Sequence, residues 1–170
     1  MSASLAALAG RPPGQIGIVV KDLDAALERY TELWGLSPWR CWTYGPETVP
    51  DLGLRGEPAT YEIEIALWGR DPQIELIQPM RGPSIYHEWL EQHGEGMHHI
   101  GMYIADLEAG MEQMTRDGHE PVQWGRGYGE TGDGGFAYFD TRSIFGIYTE
   151  LIEVPEVRIP PRRVYPDREG

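Results

Sequence analysis

One cysteine, Cys41, and one lysine, Lys21, are all the chain has of either residue. A lone thiol excludes an internal disulfide and agrees with a reducing compartment, so the cytoplasm is the expected location. No run approaches the ~20 consecutive apolar residues of a membrane span. The small apolar start, residues 1–10, lacks the basic flank and sustained apolar run of a secretory signal. Cations are scarce as well: Lys and Arg total 14 against 27 Asp and Glu, leaving a formal net charge of −13. Counterion release at phosphates needs clustered cations, and none are clustered here, so nucleic acid is excluded as a partner and an anionic membrane surface is disfavoured. What the 170 residues do contain is 41% apolar side chains, enough for a packed core. The 22 Gly and 14 Pro favour short elements joined by many turns over a helical bundle.

The pattern repeats. Gln15–Ala25 aligns with His99–Ala109, sharing Ile16/Ile100, Gly17/Gly101, Asp22/Asp106, Leu23/Leu107 and Ala25/Ala109. A second echo closes each half, Glu75-Leu76-Ile77 against Glu150-Leu151-Ile152. Two unrelated segments recurring in the same order indicate a duplicated module.

Each module opens with an alternating strand, followed by an Asp at an N-cap position (Asp22, Asp106). An amphipathic helix comes next. Its stripe is Leu23, Ala26, Leu27, Tyr30, Leu33 and Trp34 in the first module, and Leu107, Met111 and Met114 in the second. Strand-like runs follow near 40–44, 61–68 and 73–78, then near 122–124, 136–139 and 147–154. The predicted fold class is α+β: two tandem βαβββ modules forming a curved, barrel-like mixed sheet around a central cleft. The boundaries read as an N-terminal tail (1–13), a first module (14–80), a linker helix (81–96), a second module (97–156) and a C-terminal tail without periodicity (157–170). Gly127–Gly132 matches Gly-x-Gly-x-x-Gly, but a strand follows it rather than a helix. It reads as a flexible loop, a candidate lid.

Alternation also sorts the polar strand residues. Gln15 shares a face with Gly17 and Val19, opposite Ile16, Ile18 and Val20; His99 shares a face with Gly101 and Tyr103. His98 is expected on the opposite face from His99. Glu75 and Glu150 are flanked by apolar residues, where a carboxylate is costly unless paired, solvated or metal-bound. Taken singly, Gln15 reads as an ordinary strand residue and His99 as a structural histidine. Taken as one pair per module at matched places, the four groups suit a shared metal centre on a pseudo-twofold axis. The donor mixture fits a divalent ion: Zn²⁺, Co²⁺, Ni²⁺, Mn²⁺ or Fe²⁺.

At these residues the chain resembles the vicinal oxygen chelate superfamily, over roughly residues 14–155. The segment Pro83-Ser84-Ile85 through Trp89-Leu90-Glu91 and on to Gly94-Glu95-Gly96-Met97-His98-His99-Ile100 is most similar to the methylmalonyl-CoA epimerase-like branch, as is Asp140-Thr141-Arg142-Ser143 with Glu150-Leu151-Ile152-Glu153. The resemblance implies Gln15, Glu75, His99 and Glu150 as the metal set. Gln15 stands where that branch usually has His. This argues against an extradiol dioxygenase and matches the donor set of some glyoxalase I enzymes. The proton-transfer Glu of the branch's second strand has no counterpart, which leaves Glu150, Glu47 and Tyr44 as catalytic candidates, with Glu62 behind them.

The resemblance therefore implies a metal-dependent isomerase or lyase that stabilises an enolate next to a carbonyl, first an epimerase or racemase of an α-substituted acyl compound. A glyoxalase I-like lyase is the second expectation. A metal-free sequestering protein of the bleomycin-resistance type, holding a cationic ligand in an acidic groove, is the third. The expected partner is a small molecule, partly aromatic if Trp42, Tyr103 and Tyr148 line the cleft, or an acyl thioester. The absence of a basic cluster leaves the phosphates of CoA without an evident site. Exposed sheet edges make a homodimer the expected assembly.

Overall fold

A computed structural model describes residues 6–167. Of the expected N-terminal tail, residues 1–5 lie outside the described residues; a single 3-10 turn, Ala6–Leu8, precedes the first strand. The first module comprises β1 (Gln15–Val19), α1 (Leu23–Trp34), β2 (Trp39–Tyr44), the hairpin β3 (Asp51–Leu54) and β4 (Glu57–Pro58), then β5 (Glu62–Trp68) and β6 (Gln73–Arg81). Helix α2 (Ile85–His93) links it to β7 (Gly96–Tyr103), α3 (Leu107–Arg116), β8 (Pro121–Tyr128), β9 (Gly134–Phe139), the short α4 (Arg142–Phe145) and β10 (Tyr148–Glu153). A final strand, β11 (Arg163–Tyr165), lies in the C-terminal segment. No helix among the described residues is long and apolar enough to cross a membrane.

All eleven strands form one sheet, in the order β11-β2-β5-β6-β1-β7-β10-β9-β8-β3-β4. The modules mirror each other about the β1–β7 junction, where the strands run antiparallel, while β1 with β6 and β7 with β10 run parallel. Connectivity forces the curvature. Strands β2 and β3 are separated by eight places in the sheet order, about 38 Å if the sheet were flat at ~4.8 Å per strand. The chain from Tyr44 to Asp51 reaches at most about 25 Å. The sheet must therefore curl until its outer strands approach one another, and it does so without closing.

The β3–β4 hairpin has no counterpart among the predicted strands. It is short, rich in Pro and Gly, and does not alternate. Its two-residue turn places both Arg55 (φ 51°) and Gly56 (φ 84°) in the left-handed region, as a type I′ turn requires. β3 pairs not with its own module but with β8 of the other.

The two faces of the sheet bury separate cores. On the convex side α1 covers Val20, Trp39, Cys41, Ala66 and Leu76, and α3 covers Ala137, Phe139 and Leu151. The concave side is aromatic, with Trp42, Tyr44, Tyr61, Tyr128, Phe136, Tyr138 and Tyr148, and α2 packs there through Ile85, Tyr86 and Trp89. Helix α1 departs from its predicted stripe: Leu33 and Trp34 stay exposed, with Trp34 edge-on to Tyr30 at 5.3 Å between ring centroids. The repeated Asp residues do cap their helices, Asp22 accepting from the Ala25 N–H (3.0 Å) and Asp106 from the Ala109 N–H (2.9 Å). Replacing either with Ala is expected to cost about 1 kcal/mol in urea-unfolding free energy without altering the fold. A double variant should lose the sum, because the caps lie in separate modules.

Candidate metal centre and cleft

Four adjacent central strands, β6, β1, β7 and β10, each contribute one polar side chain to the concave face: Glu75, Gln15, His99 and Glu150. All are buried, at 8%, 4%, 0% and 4% exposure. His99 Nε2 lies 3.1 Å from Glu150 Oε2 and 3.4 Å from Glu75 Oε2. The Glu75, His99 and Glu150 donor atoms lie within 4.8 Å of one another, as a shared cation requires. The Gln15 amide has two orientations of different chemistry. With Oε1 inward it sits 3.4 Å from His99 Nε2 and donates from Nε2 to Gln73 Oε1. Reversed, its NH₂ donates to Glu75 and Glu150 at 3.2 and 3.1 Å. The first suits a cation, the second two bare carboxylates.

Two carboxylates against one imidazole make a buried excess of negative charge, and burial raises the Glu150 carboxyl above the usual carboxylate range despite the opposing His99. Burial alone would lower His99, but Glu150 and Glu75 outweigh it and hold the imidazole up at about 9. Oxygen and nitrogen donors converging in a water-poor site with surplus negative charge fit a divalent first-row metal, for which His99 must be neutral.

The repeated glycines explain how the donors fit. Gly17 pairs with His99 and Gly101 with Gln15 across the β1–β7 junction. A Cβ on Gly17 would collide with the His99 ring; one on Gly101 would lie 2.7 Å from Ile152 Cδ1, 3.1 Å from Gln15 Cβ and 3.2 Å from Glu150 Oε2. Each module's strand is thus notched for the other module's donor.

His98 departs from the predicted alternation. The β1–β7 register slips between Gly17 and Ile18, a bulge that leaves His98 as the extra residue. It therefore turns into the same aromatic core as His99 instead of the opposite face, stacked on Tyr148 at 4.8 Å. Its Nδ1 lies 3.0 Å from His99 Nδ1. Burial holds His98 well below the usual histidine range, so it stays neutral. The consistent tautomer, inferred from this network, has His99 Nδ1–H donating to His98 and Nε2 facing the carboxylates.

The catalytic candidates separate. Glu150 and Tyr44 both line a cavity of about 30 Å³ at the centre, together with Gln15, Glu75, Tyr128 and Arg158. Burial pushes the Tyr44 hydroxyl up to about 12, so it is a proton donor at neutral pH. Glu47 is not in the cavity. It sits exposed at the tip of the turn after β2, which Thr48 closes by accepting the Gly45 N–H while Val49 buries behind it. Glu62 is taken up by Arg81 at 2.8 Å.

Sequence reasoning missed three residues. Gln73 shares the face of Glu75 and takes a hydrogen bond from Tyr103 (3.4 Å). Tyr138 stands opposite Glu150 on β9 and edge-on to His99 at 5.0 Å. Both were visible as alternation partners. Arg158, from the aperiodic tail, gave no such signal. A larger groove of about 590 Å³ lies elsewhere, near Trp124 and Met111, where Arg126 is already paired with Glu108 and Asp51.

Two outcomes follow from this geometry. Gly17→Ala is expected to fold but to displace His99 and lose divalent-metal affinity, read by metal titration; unchanged affinity would contradict the notch. In chelator-treated protein the raised His99 contributes stability that is complete below pH ~6.5 and is lost as pH rises through about 9. Urea melts of the chelator-treated protein should therefore show lower stability at pH 9.5 than at pH 6.

Comparison with known proteins is consistent with this architecture. No match was found among curated protein sequences. Among solved structures, methylmalonyl-CoA epimerase from Mycobacterium tuberculosis superposes with a TM-score of 0.62 at 23% identity, over 85% of this chain and 89% of that one. A substituted Streptomyces coelicolor methylmalonyl-CoA epimerase in complex with 2-nitronate-propionyl-CoA gives 0.64 at 23% identity, over 88% and 99%. At this identity the likeness establishes the fold. The sequence profile of the Glyoxalase/Bleomycin resistance protein/Dioxygenase superfamily matches residues 14–139, and the chain belongs to that family.

Proposed function

We propose that the protein is a metal-dependent isomerase that removes and returns a proton next to a carbonyl, epimerising an α-substituted acyl compound. The observation that carries this reading is the convergence of Gln15, Glu75, His99 and Glu150, one from each of four adjacent strands, on a buried centre beside a small cavity. These four would hold a divalent ion, which supplies Lewis-acid polarisation of the substrate oxygen when bound.

The remaining work belongs to the chain. Glu150, whose carboxyl burial raises and whose side chain lines the cavity, is the group placed to accept an α-proton. Tyr44, protonated throughout the physiological range, donates to the developing enolate oxygen or returns a proton to carbon. His98 holds the His99 ring in its tautomer. The aromatic wall of Tyr44, Tyr128 and Phe136 excludes water from the carbanionic carbon. The epimerase neighbours, one of them bound to an acyl-CoA analogue, support an acyl thioester as the substrate type.

Metal analysis and solvent exchange test the reading together. Purified protein should carry close to one transition-metal ion per chain. In deuterated buffer it should exchange the α-hydrogen of at least one member of a panel of α-substituted acyl thioesters. Glu150→Gln is expected to slow exchange by at least ~100-fold, the usual range for loss of a general base. A folded, reconstituted protein that holds no metal and exchanges no enolisable substrate would sink the proposal in favour of a metal-free binding role.

A further inference from the structure

The C-terminal segment, read from the sequence as a tail without periodicity, is pinned at both ends across the cleft. At its start the β8–β9 turn grips it: the Glu130 N–H donates to Val157 O (2.9 Å), and Asp133 accepts the Glu156 N–H (2.9 Å). The glycine-rich loop read as a candidate lid is this clasp. At its far end Arg163 pairs with Cys41 as β11 joins β2, and Arg162 meets Glu64 at 2.6 Å. The arm leaves the second module and fastens to the outer strand of the first. Between the anchors Arg158 faces the cleft, in the same cavity wall as Gln15, Glu75 and Glu150.

Arg158 differs from the other two described arginines of the arm. Arg162 and Arg163 are ion-paired with Glu64 and Asp24, whereas Arg158 makes no ion pair among the described residues. Its one hydrogen bond goes to a neutral group, the Tyr44 hydroxyl at 3.3 Å. Its guanidinium lies 6.0 Å from the Trp42 ring centroid and 5.9 Å from that of Tyr128, so aromatic faces hold it in place. A partly buried guanidinium keeps its planar fork of N–H donors for whatever enters, and that fork matches a carboxylate in two parallel bonds. One guanidinium balances one negative charge. Beside Glu75 and Glu150 a monoanionic carboxylate is therefore favoured over a phosphate.

We propose that Arg158 is the specificity residue of the cleft, selecting substrates that carry a free carboxylate and binding that group as the arm closes over it. The cavity of about 30 Å³ holds only about one or two water molecules, so a substrate enters with the arm displaced. Because the cation rides on the arm, closure and recognition of the anion are the same event. This rests on the isomerase reading only for what happens at the neighbouring carbon; the binding step stands alone.

The test uses 2-phenylpropionate and its neutral isostere 2-phenylpropionamide, titrated by calorimetry into the full-length protein as isolated. Wild type is expected to bind the carboxylate at least about tenfold tighter than the amide, as a charge-assisted pair predicts. Arg158→Gln should bring the two within about twofold by weakening the carboxylate alone, and Arg158→Lys should restore part of the preference. Thermal melts establish that both variants fold. The proposal is overturned if Arg158→Gln keeps the preference, if it weakens both probes equally, or if wild type binds neither. Exchange activity is scored separately, so silence on every acyl substrate with intact carboxylate selection would remove the isomerase reading and leave this one standing.

Discussion

Two carboxylates, one imidazole and one amide, buried on four neighbouring strands, are the constraint to which the rest of the molecule answers. Such a set is stable only while its charge is balanced and its geometry held. The duplicated modules meet along β1 and β7, so that each half brings a pair of donors to one axis. The glycines at that junction leave room for the imidazole and the amide. The bulge at His98 supplies a neutral acceptor behind His99. Sheet curvature, imposed by the short connection from β2 to β3, then encloses the centre in aromatic side chains.

The parts of this arrangement written in period and repetition were legible in the sequence. Alternation put Gln15 and His99 on the strand face opposite the helix-packing residues, because a strand's side-chain period of two leaves little freedom once one face is apolar, and the cost of a carboxylate among apolar neighbours singled out Glu75 and Glu150. The two Asp caps were equally plain. His98 was misplaced for a physical reason: alternation holds only while the register does, and a bulge is a property of the strand pair, not of either strand. Glu47 was suggested by its closeness in sequence to the expected base position, but a tight turn sends it outward.

Segments without periodicity stayed unreadable although they complete the cleft. The β3–β4 hairpin and the C-terminal arm are rich in Pro, Gly and Arg, and their strands exist only because a distant edge is free to pair, β8 for one and β2 for the other. Nothing local encodes such partners. The glycine-rich loop shows the same limit: its turns were evident, but its role as a clasp on residues 156–157 depends on a segment more than twenty residues away.

The reciprocal notches at Gly17 and Gly101 carry a consequence for symmetry. A lone module could build a comparable centre only against a second copy of itself, and the two halves of that centre would then be identical. Joining both modules in one chain lifts that requirement. The same position can be an amide in one half and an imidazole in the other, as Gln15 and His99 are. An axis that is twofold in backbone becomes one-sided in chemistry, with His98 behind one donor and Gln73 beside the other. A chiral substrate placed on such an axis meets two different sides, so its orientation is already decided by the fold.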